Sequence, residues 1–325
     1  MCQTIHDENL INMPAYRCLV FCYCFGCLGF FPSRAWSAQK SEPAPTRTTE
    51  VESAASQVSP ATRLKKGQLR TLVTFSAMGD VPRKQAEEWQ LVRQLAELPA
   101  GIEFVVHLGD IKSGGTPCDA RTYLKVAGLL ATSRVPVLII PGDNEWNDCP
   151  QPDCAWRLWQ KYFSHFERYW KLKFTLTRPS QRDELFSFVQ GNVLFLGLNL
   201  VGGRVHDSLA WKMRHTDDIE WTRLNFHHFG SRVKRVVVLG HARPTGNHAD
   251  YFAALVQEAQ QFGRPVLYLH GDGHRWYQRH PWKAENLQDV QVDQGGIAPP
   301  VTIAVTDDDS QPFVFDRRLP GDREQ

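Results

Sequence analysis

Phe104-Val105-Val106-His107-Leu108-Gly109-Asp110 is the stretch on which the fold turns. An apolar run of strand type stops at a glycine and a lone carboxylate, and Ile111-Lys112-Ser113-Gly114-Gly115 follows as a loop. The same stop recurs along the chain. Leu72 to Phe75 leads into Ala77-Met78-Gly79-Asp80, and Val135 to Ile140 into Pro141-Gly142-Asp143-Asn144-Glu145. Val236 to Leu239 leads into Gly240-His241, and Val266 to Leu269 into His270-Gly271-Asp272-Gly273-His274. In an open α/β sheet the carboxyl ends of the strands share one edge, where ligands bind. Five such ends gather four carboxylates and two imidazoles in one place. A single Gly-Asp reads as a surface turn; five in order, each behind an apolar run, do not.

Between these stops the periodicity alternates. Gln68 to Phe75 reads as a strand, Arg83 to Leu98 as a helix with apolar or aromatic positions at Trp89, Leu91, Val92, Leu95 and Leu98, and Ile102 to Leu108 as a strand. A helix over Asp119 to Leu130 and a strand over Val135 to Ile140 complete a β-α-β-α-β order, which implies a parallel sheet with right-handed crossovers. Cys154 to Leu172 carries Trp156, Trp159, Phe163, Phe166 and Trp170 at helical spacing. That stripe reads as a helix packed on the core; the competing reading is a lid whose aromatic edge faces substrate. Glu184–Val189 and Val193–Leu198, separated by Gln190-Gly191-Asn192, predict a β-hairpin. A polar loop over Asn199–His215 follows, then a helix over Asp217–Phe229, a strand over Val233–Leu239, a helix over Ala249–Phe262 and a strand over Val266–Leu269. Val301–Val305 and Pro312–Phe315 finish as strands.

The chain has 325 residues, 42% hydrophobic and 22% charged, within the usual range for globular proteins, and its formal charge of +2 gives no sign of a nucleic-acid-binding surface. The amino-terminal part differs in kind. Cys18 to Phe31 is an unbroken apolar run behind Arg17, too short to span a bilayer comfortably but suited to the core of a signal peptide. Asp7 and Glu8 sit oddly ahead of such a core, and initiation at Met13 would give a better leader. Residues 1–38 are therefore expected to be a leader and 39–66, rich in Ser, Thr, Ala and Pro, a disordered linker. One domain is expected over 67–317 and a tail over 318–325. The expected location is secreted, periplasmic or otherwise extracytoplasmic, with anchoring by the leader as the lesser alternative and no stable membrane span once the leader is removed. Export leaves Cys118, Cys149 and Cys154 in the mature chain: one pair and one thiol left over. A Cys118–Cys149 bridge would tie two site loops together; Cys149–Cys154 is the competing choice.

Asp, Asn and His side chains together are ligands for hard to borderline divalent metals. Two such ions activate water, polarise a phosphoryl oxygen and steady a leaving group. The ordered blocks Gly79-Asp80, Gly109-Asp110, Gly142-Asp143-Asn144-Glu145, Gly240-His241 and Gly271-Asp272-Gly273-His274 resemble the five-block signature of calcineurin-like metallophosphoesterases. The resemblance implies an α/β fold, a four-layer α/β/β/α sandwich of two mixed sheets with the site at strand carboxyl ends. It implies two divalent metal ions, Mn, Fe, Zn or Mg, and a small phosphorylated substrate. Carried over by position, Asp80 and His274 fall on the first ion, Asp110 bridges both, and Asp143 and His241 fall on the second. Asp272 matches the remaining histidine of the last block.

Three departures stand out. Pro82 occupies the position of a family histidine and cannot ligate through its side chain. Asn144 stands where a histidine is credited with protonating the leaving group, which asparagine cannot do at neutral pH. Asp272 replaces a histidine. The two added carboxylates, Asp143 and Asp272, harden the site toward Mn, Mg or Fe over Zn. Asp110, Asn144 and His241 are the expected catalytic positions, and Lys112, Ser113 and Asn144 the expected phosphate contacts. Glu145 is expected to brace a neighbouring backbone, and His107 and His270 to support the ligands from behind or pack in the core. The resulting expectation is an exported metal-dependent phosphoesterase favouring phosphomonoesters. A nucleotide or phosphodiester hydrolase and a catalytically weak metal-binding or ligand-binding protein are the alternatives.

Overall fold

The computed structural model describes residues 70–319, all within one compact unit spanning Gly67–Gln325. The expected leader and linker lie outside the described residues. Strands β1 (Thr71–Met78), β2 (Val105–His107) and β3 (Val137–Ile139) are parallel neighbours, joined through helices α1 (Gln85–Ala96) and α2 (Ala120–Leu130). The predicted β-α-β-α-β unit is therefore present. Two late strands, β10 (Val301–Thr306) and β11 (Phe313–Asp316), add antiparallel beyond β1, giving the order β11-β10-β1-β2-β3.

A second sheet holds the other half of the signature. Strands β4 (Phe186–Gln190) and β5 (Val193–Gly197) form the predicted hairpin. Strands β6 (Arg235–Leu239), β7 (Val266–His270), β8 (Tyr277–Arg279) and β9 (Leu287–Gln291) complete the order β4-β5-β6-β7-β9-β8, with β5, β6, β7 and β9 mutually parallel. Strands β8 and β9 are additions to the sequence reading. Buried Asp289, inside β9, interrupts the apolar run that would mark a strand, and it is tolerated because His270 Nε2 (3.0 Å) and Arg279 Nε (2.7 Å) satisfy it.

Alternation along each strand separates the layers. Val106 faces the other sheet while Val105 faces the helices. Between the sheets, Phe75 and Phe104 meet Phe195 edge to face at 5.3 and 5.2 Å. The outer face of the first sheet packs on α1, α2 and α3 (Pro152–Phe163), and that of the second on α4 (Ser208–Phe229) and α5 (Ala249–Phe262). The architecture is four layers, α/β/β/α.

Two local readings need correction. The helix expected over Cys154–Leu172 is broken: α3 ends at Phe163, His165 takes a left-handed φ of 59°, and Phe166–Tyr169 forms a 3-10 turn. Its aromatic stripe is core, with Trp159, Phe163 and Phe166 buried against α2 and the first sheet, so the lid reading falls. The loop expected over Asn199–His215 ends early, because Asp207 accepts from the backbone N–H groups of Leu209 (2.9 Å) and Ala210 (3.0 Å) and starts α4 at Ser208. Exposed Leu209 and Met213 blur the amphipathic pattern there. Among the described residues no helix is long and apolar enough to cross a membrane.

Two buried histidines set an acid limit on stability. Burial, more than any neighbouring charge, lowers His107 to about 4 and His248 to about 3. Both fall below the unfolded value near 6.5, so their contribution is complete above that pH and is lost as pH falls toward the folded values. The urea midpoint is expected to drop steeply between pH 6.5 and 4, each histidine contributing about 3 kcal/mol. His248→Phe, retaining a ring beside Trp211 (5.2 Å centroid to centroid), should flatten that slope.

Candidate metal centre

Each signature block lies just past a strand end. Asp80 follows β1, Asp110 follows β2, and Asp143 opens a π-helical turn (Asp143–Asn147) after β3; His241 follows β6, and Asp272 and His274 follow β7. Asp80, Asp110, Asp272 and His274 all adopt left-handed backbone, with φ of 58°, 59°, 65° and 63°. Such values are uncommon outside glycine and cost of order 1 kcal/mol each, a strain that clusters at functional sites. Here the turn they produce swings the side chains of two sheets toward one another. The preceding glycines permit the contact: a Cβ on Gly142 would sit 2.1 Å from the Asp110 backbone nitrogen.

His241 joins the two halves. Its Nδ1–H donates to the Leu108 carbonyl (2.7 Å), leaving Nε2 to face Asp143 Oδ1 at 3.0 Å and Asp110 Oδ1 at 3.4 Å. Among the described residues, two three-residue groups have ligand atoms within 4.8 Å of one another: Asp80, Asp110 and His241, and Asp143, His241 and Asp272. Asp80, Asp110, Asp143 and Glu145 are all buried, an excess of negative charge that a divalent cation would neutralise. Burial pushes the Asp110 carboxyl well above the ordinary range against the opposing pull of His241. On His241 itself burial works the other way, but Asp110 and then Asp143 outweigh it and raise the imidazole well above 6.5.

The donor set fits a divalent ion. Buried Asp80 Oδ1, Asp143 Oδ1 and His241 Nε2 make no hydrogen bond, although such atoms are normally satisfied. Gly202 keeps the approach open, since a Cβ there would lie 3.1 Å from Asp143 Oδ1 and 3.2 Å from Asp272 Oδ2.

The remaining expected residues take distinct places. His274 belongs to neither three-residue group, but its Nε2 is 3.1 Å from Asp80 Oδ1. Asp272 donates its backbone N–H to Asp80 Oδ2 (3.2 Å) and faces Arg243 Nε at 3.4 Å. Asn144 donates its backbone N–H to Asp110 Oδ1 (3.0 Å) and its amide Nδ2 to Asp110 Oδ2. Glu145 Oε1 accepts from the backbone N–H groups of Asp110 and Gly142, bracing the two loops as expected. Lys112 is 1% exposed and its Nζ donates to the Ser113 carbonyl (3.2 Å); burial lowers its pKa, and the charges of Glu145 and Asp110 oppose that shift. Ser113 Oγ pairs with Thr116 Oγ1 at 2.9 Å. His107 bonds the Val81 carbonyl (2.8 Å), and His270 bonds Asp289. Sequence reasoning missed Arg83, Arg243 and Gly202; the arginines each follow a signature block by two or three residues, which was the available signal.

Cys118 and Cys149 are disulfide-bonded, closing a separation of 31 residues between the loops that follow β2 and β3. This is the first of the two pairings considered. Cys154 is not left over as a lone thiol, because it too has a bonded partner. Replacing both Cys118 and Cys149 by serine is expected to lower the unfolding free energy by about 3 kcal/mol through loop-closure entropy, measurable by urea denaturation under oxidising conditions.

The chain is similar to a dimetal phosphatase from Danio rerio, with 12% identity, 75% of this chain and 98% of that chain covered, and a TM-score of 0.52. It is also similar to a 5'-nucleotidase from Candida albicans SC5314, with 14% identity, 77% of this chain and 52% of that chain covered, and a TM-score of 0.45. At such identities the first likeness speaks to the fold. No curated protein matches the chain. The family model for calcineurin-like phosphoesterases matches residues 74–276, which run from β1 through His274 and enclose every block of the strand-end cluster. On that match, over the residues that build the site, the chain belongs to the calcineurin-like phosphoesterase family, whose members hydrolyse phosphate esters.

Proposed function

We propose that this hydrolase is exported, depends on divalent metal, and acts on phosphomonoesters. The observation that carries the reading is the buried strand-end cluster of Asp80, Asp110, Asp143 and His241, with Asp272 and His274 at its margin. These six residues are the candidate ligands. A bound divalent ion supplies Lewis acidity at a phosphoryl oxygen and a lowered pKa for water. Asp110, fixed from both sides by Asn144, sits at the centre and sets the position of the reacting groups. Asn144 has a second amide N–H to offer a phosphate oxygen but no proton to give, so the proposed substrates have good leaving groups or take that proton from water. Buried Lys112 acts as a fixed countercharge to Glu145 and Asp110, and Ser113 borders the same loop.

Support for a monoester comes from charge. Arg83 lies 3.9 Å from Asp110 and Arg243 lies 3.4 Å from Asp272, and two guanidiniums suit the dianion of a monoester better than the single charge of a diester. Export is supported by the Cys118–Cys149 disulfide together with the apolar run Cys18 to Phe31.

Hydrolysis of an aryl phosphate and its bis-aryl diester by the exported chain, with Mn, Fe, Zn, Mg or chelator, tests the reading. Turnover that needs metal and favours the monoester is the expected result, and preference for the diester would overturn the substrate assignment. No turnover by folded chain with ions bound would mean a binding protein on this fold. Amino-terminal sequencing of material collected outside the cytoplasm should begin near residue 39.

A further inference from the structure

The two three-residue groups share His241, and its free nitrogen can serve only one ion. His241 Nδ1 is committed to the Leu108 carbonyl, so only Nε2 is free, and one nitrogen lone pair binds one ion. Nε2 lies nearer Asp143 Oδ1 (3.0 Å) than Asp110 Oδ1 (3.4 Å), which assigns it to the group containing Asp143 and Asp272. The other position keeps Asp80 and Asp110, with His274, its Nε2 3.1 Å from Asp80 Oδ1, as the remaining nitrogen donor among the described residues.

That nitrogen is already engaged. Arg83 NH1 lies 3.0 Å from His274 Nε2, and since guanidinium has only donors, it is the histidine that accepts. The same NH1 is 3.9 Å from Asp110 Oδ2. The backbone holds this arrangement: Arg83 N–H donates to Glu87 Oε2 (2.7 Å), and Glu87 is buried. Pro82 comes just before, in the place of the family's histidine ligand. The position thus loses one ligand to proline, has a second covered by a permanent cation, and gives its claim on a third to the neighbouring ion.

We propose that Arg83 takes the place of the first metal ion, so that the chain holds one divalent cation tightly, at Asp143, His241 and Asp272 beside Asp110, and uses the Arg83 guanidinium as the second positive charge and phosphate contact. Guanidinium matches the oxygens of a phosphate through paired N–H donors and needs no loading. The inference rests on the metal-dependent reading above, and stoichiometry separates the two.

The test is equilibrium dialysis of the full folded chain against Mn²⁺, with metal content per chain and the electron paramagnetic resonance spectrum as readouts. One tightly held ion per chain with the six-line spectrum of isolated Mn²⁺ is expected. Arg83→Ala should tighten a second site at least about tenfold, since a unit charge beside a divalent ion is removed, and should give the broadened spectrum of a coupled pair. Arg83→Gln, closer in size, guards against misfolding of the alanine variant. Two equally tight, coupled ions in the wild-type chain would overturn the proposal and leave the metal-dependent reading intact. Unchanged second-site affinity in both folded variants would also overturn it. No bound ion at any Mn²⁺ concentration would overturn both.

Discussion

Asp110→Asn is expected to lower kcat/KM for an aryl phosphate by roughly 10³-fold, about 4 kcal/mol of transition-state stabilisation, while leaving the fold intact. Asp110 is 2% exposed and stands between His241, Asn144 and Arg83. Asparagine keeps one carbonyl oxygen for the Asn144 backbone N–H but removes the charge that faces a cation. The stability change should run the opposite way. Burial holds the Asp110 carboxyl well above its ordinary pKa, so the folded chain bears a cost for ionising it. Relief of that cost should raise the thermal midpoint of the metal-free variant above wild type, or at least not lower it. A variant that is both inactive and unfolded would show that Asp110 is a structural residue.

His241→Ala is expected to weaken Mn²⁺ binding by more than about a hundredfold, beyond the effect of removing an outer partner of a metal ligand. The imidazole is fully buried and is the one nitrogen common to both candidate groups. Alanine also strands the buried Leu108 carbonyl, which should cost about 1–3 kcal/mol of stability. His241→Gln separates these effects, because its amide can donate to Leu108 while presenting no imidazole. Isothermal titration of both variants should show the affinity loss persisting in His241→Gln as the stability loss shrinks. Wild-type affinity in either variant would remove His241 from the ligand set.

Much of this was legible in the chain because strand ends leave a local mark. A buried parallel strand reads as a continuous apolar run, and the sharp exit that follows requires glycine where backbones touch, as Gly142 does at Asp110. The run and its stop therefore locate β1, β2, β3, β6 and β7 and the first residues of the site together. Division of those strands between two sheets was not readable from periodicity; it came from the family resemblance. Strand β9 was hidden because Asp289 is compensated by His270 and by Arg279, ten residues away, and α4 because its first turns leave Leu209 and Met213 exposed. Lys112 reads as a loop cation in the chain, yet the fold closes over it and brings it within reach of the charges of Glu145 and Asp110, far apart in sequence from each other. Arg83 was passed over as a site residue because its contact with His274 spans 191 positions of sequence, although it follows Asp80 by only three.

Anomalous diffraction from crystals grown with Mn²⁺ tests the central claim most directly. The account predicts a strong peak bonded to His241 Nε2 and flanked by Asp143, Asp272 and Asp110, with Arg83 still against His274. Absence of any peak at the strand ends under saturating Mn²⁺, or a peak held by other residues, would contradict the assignment of this cluster as the metal centre.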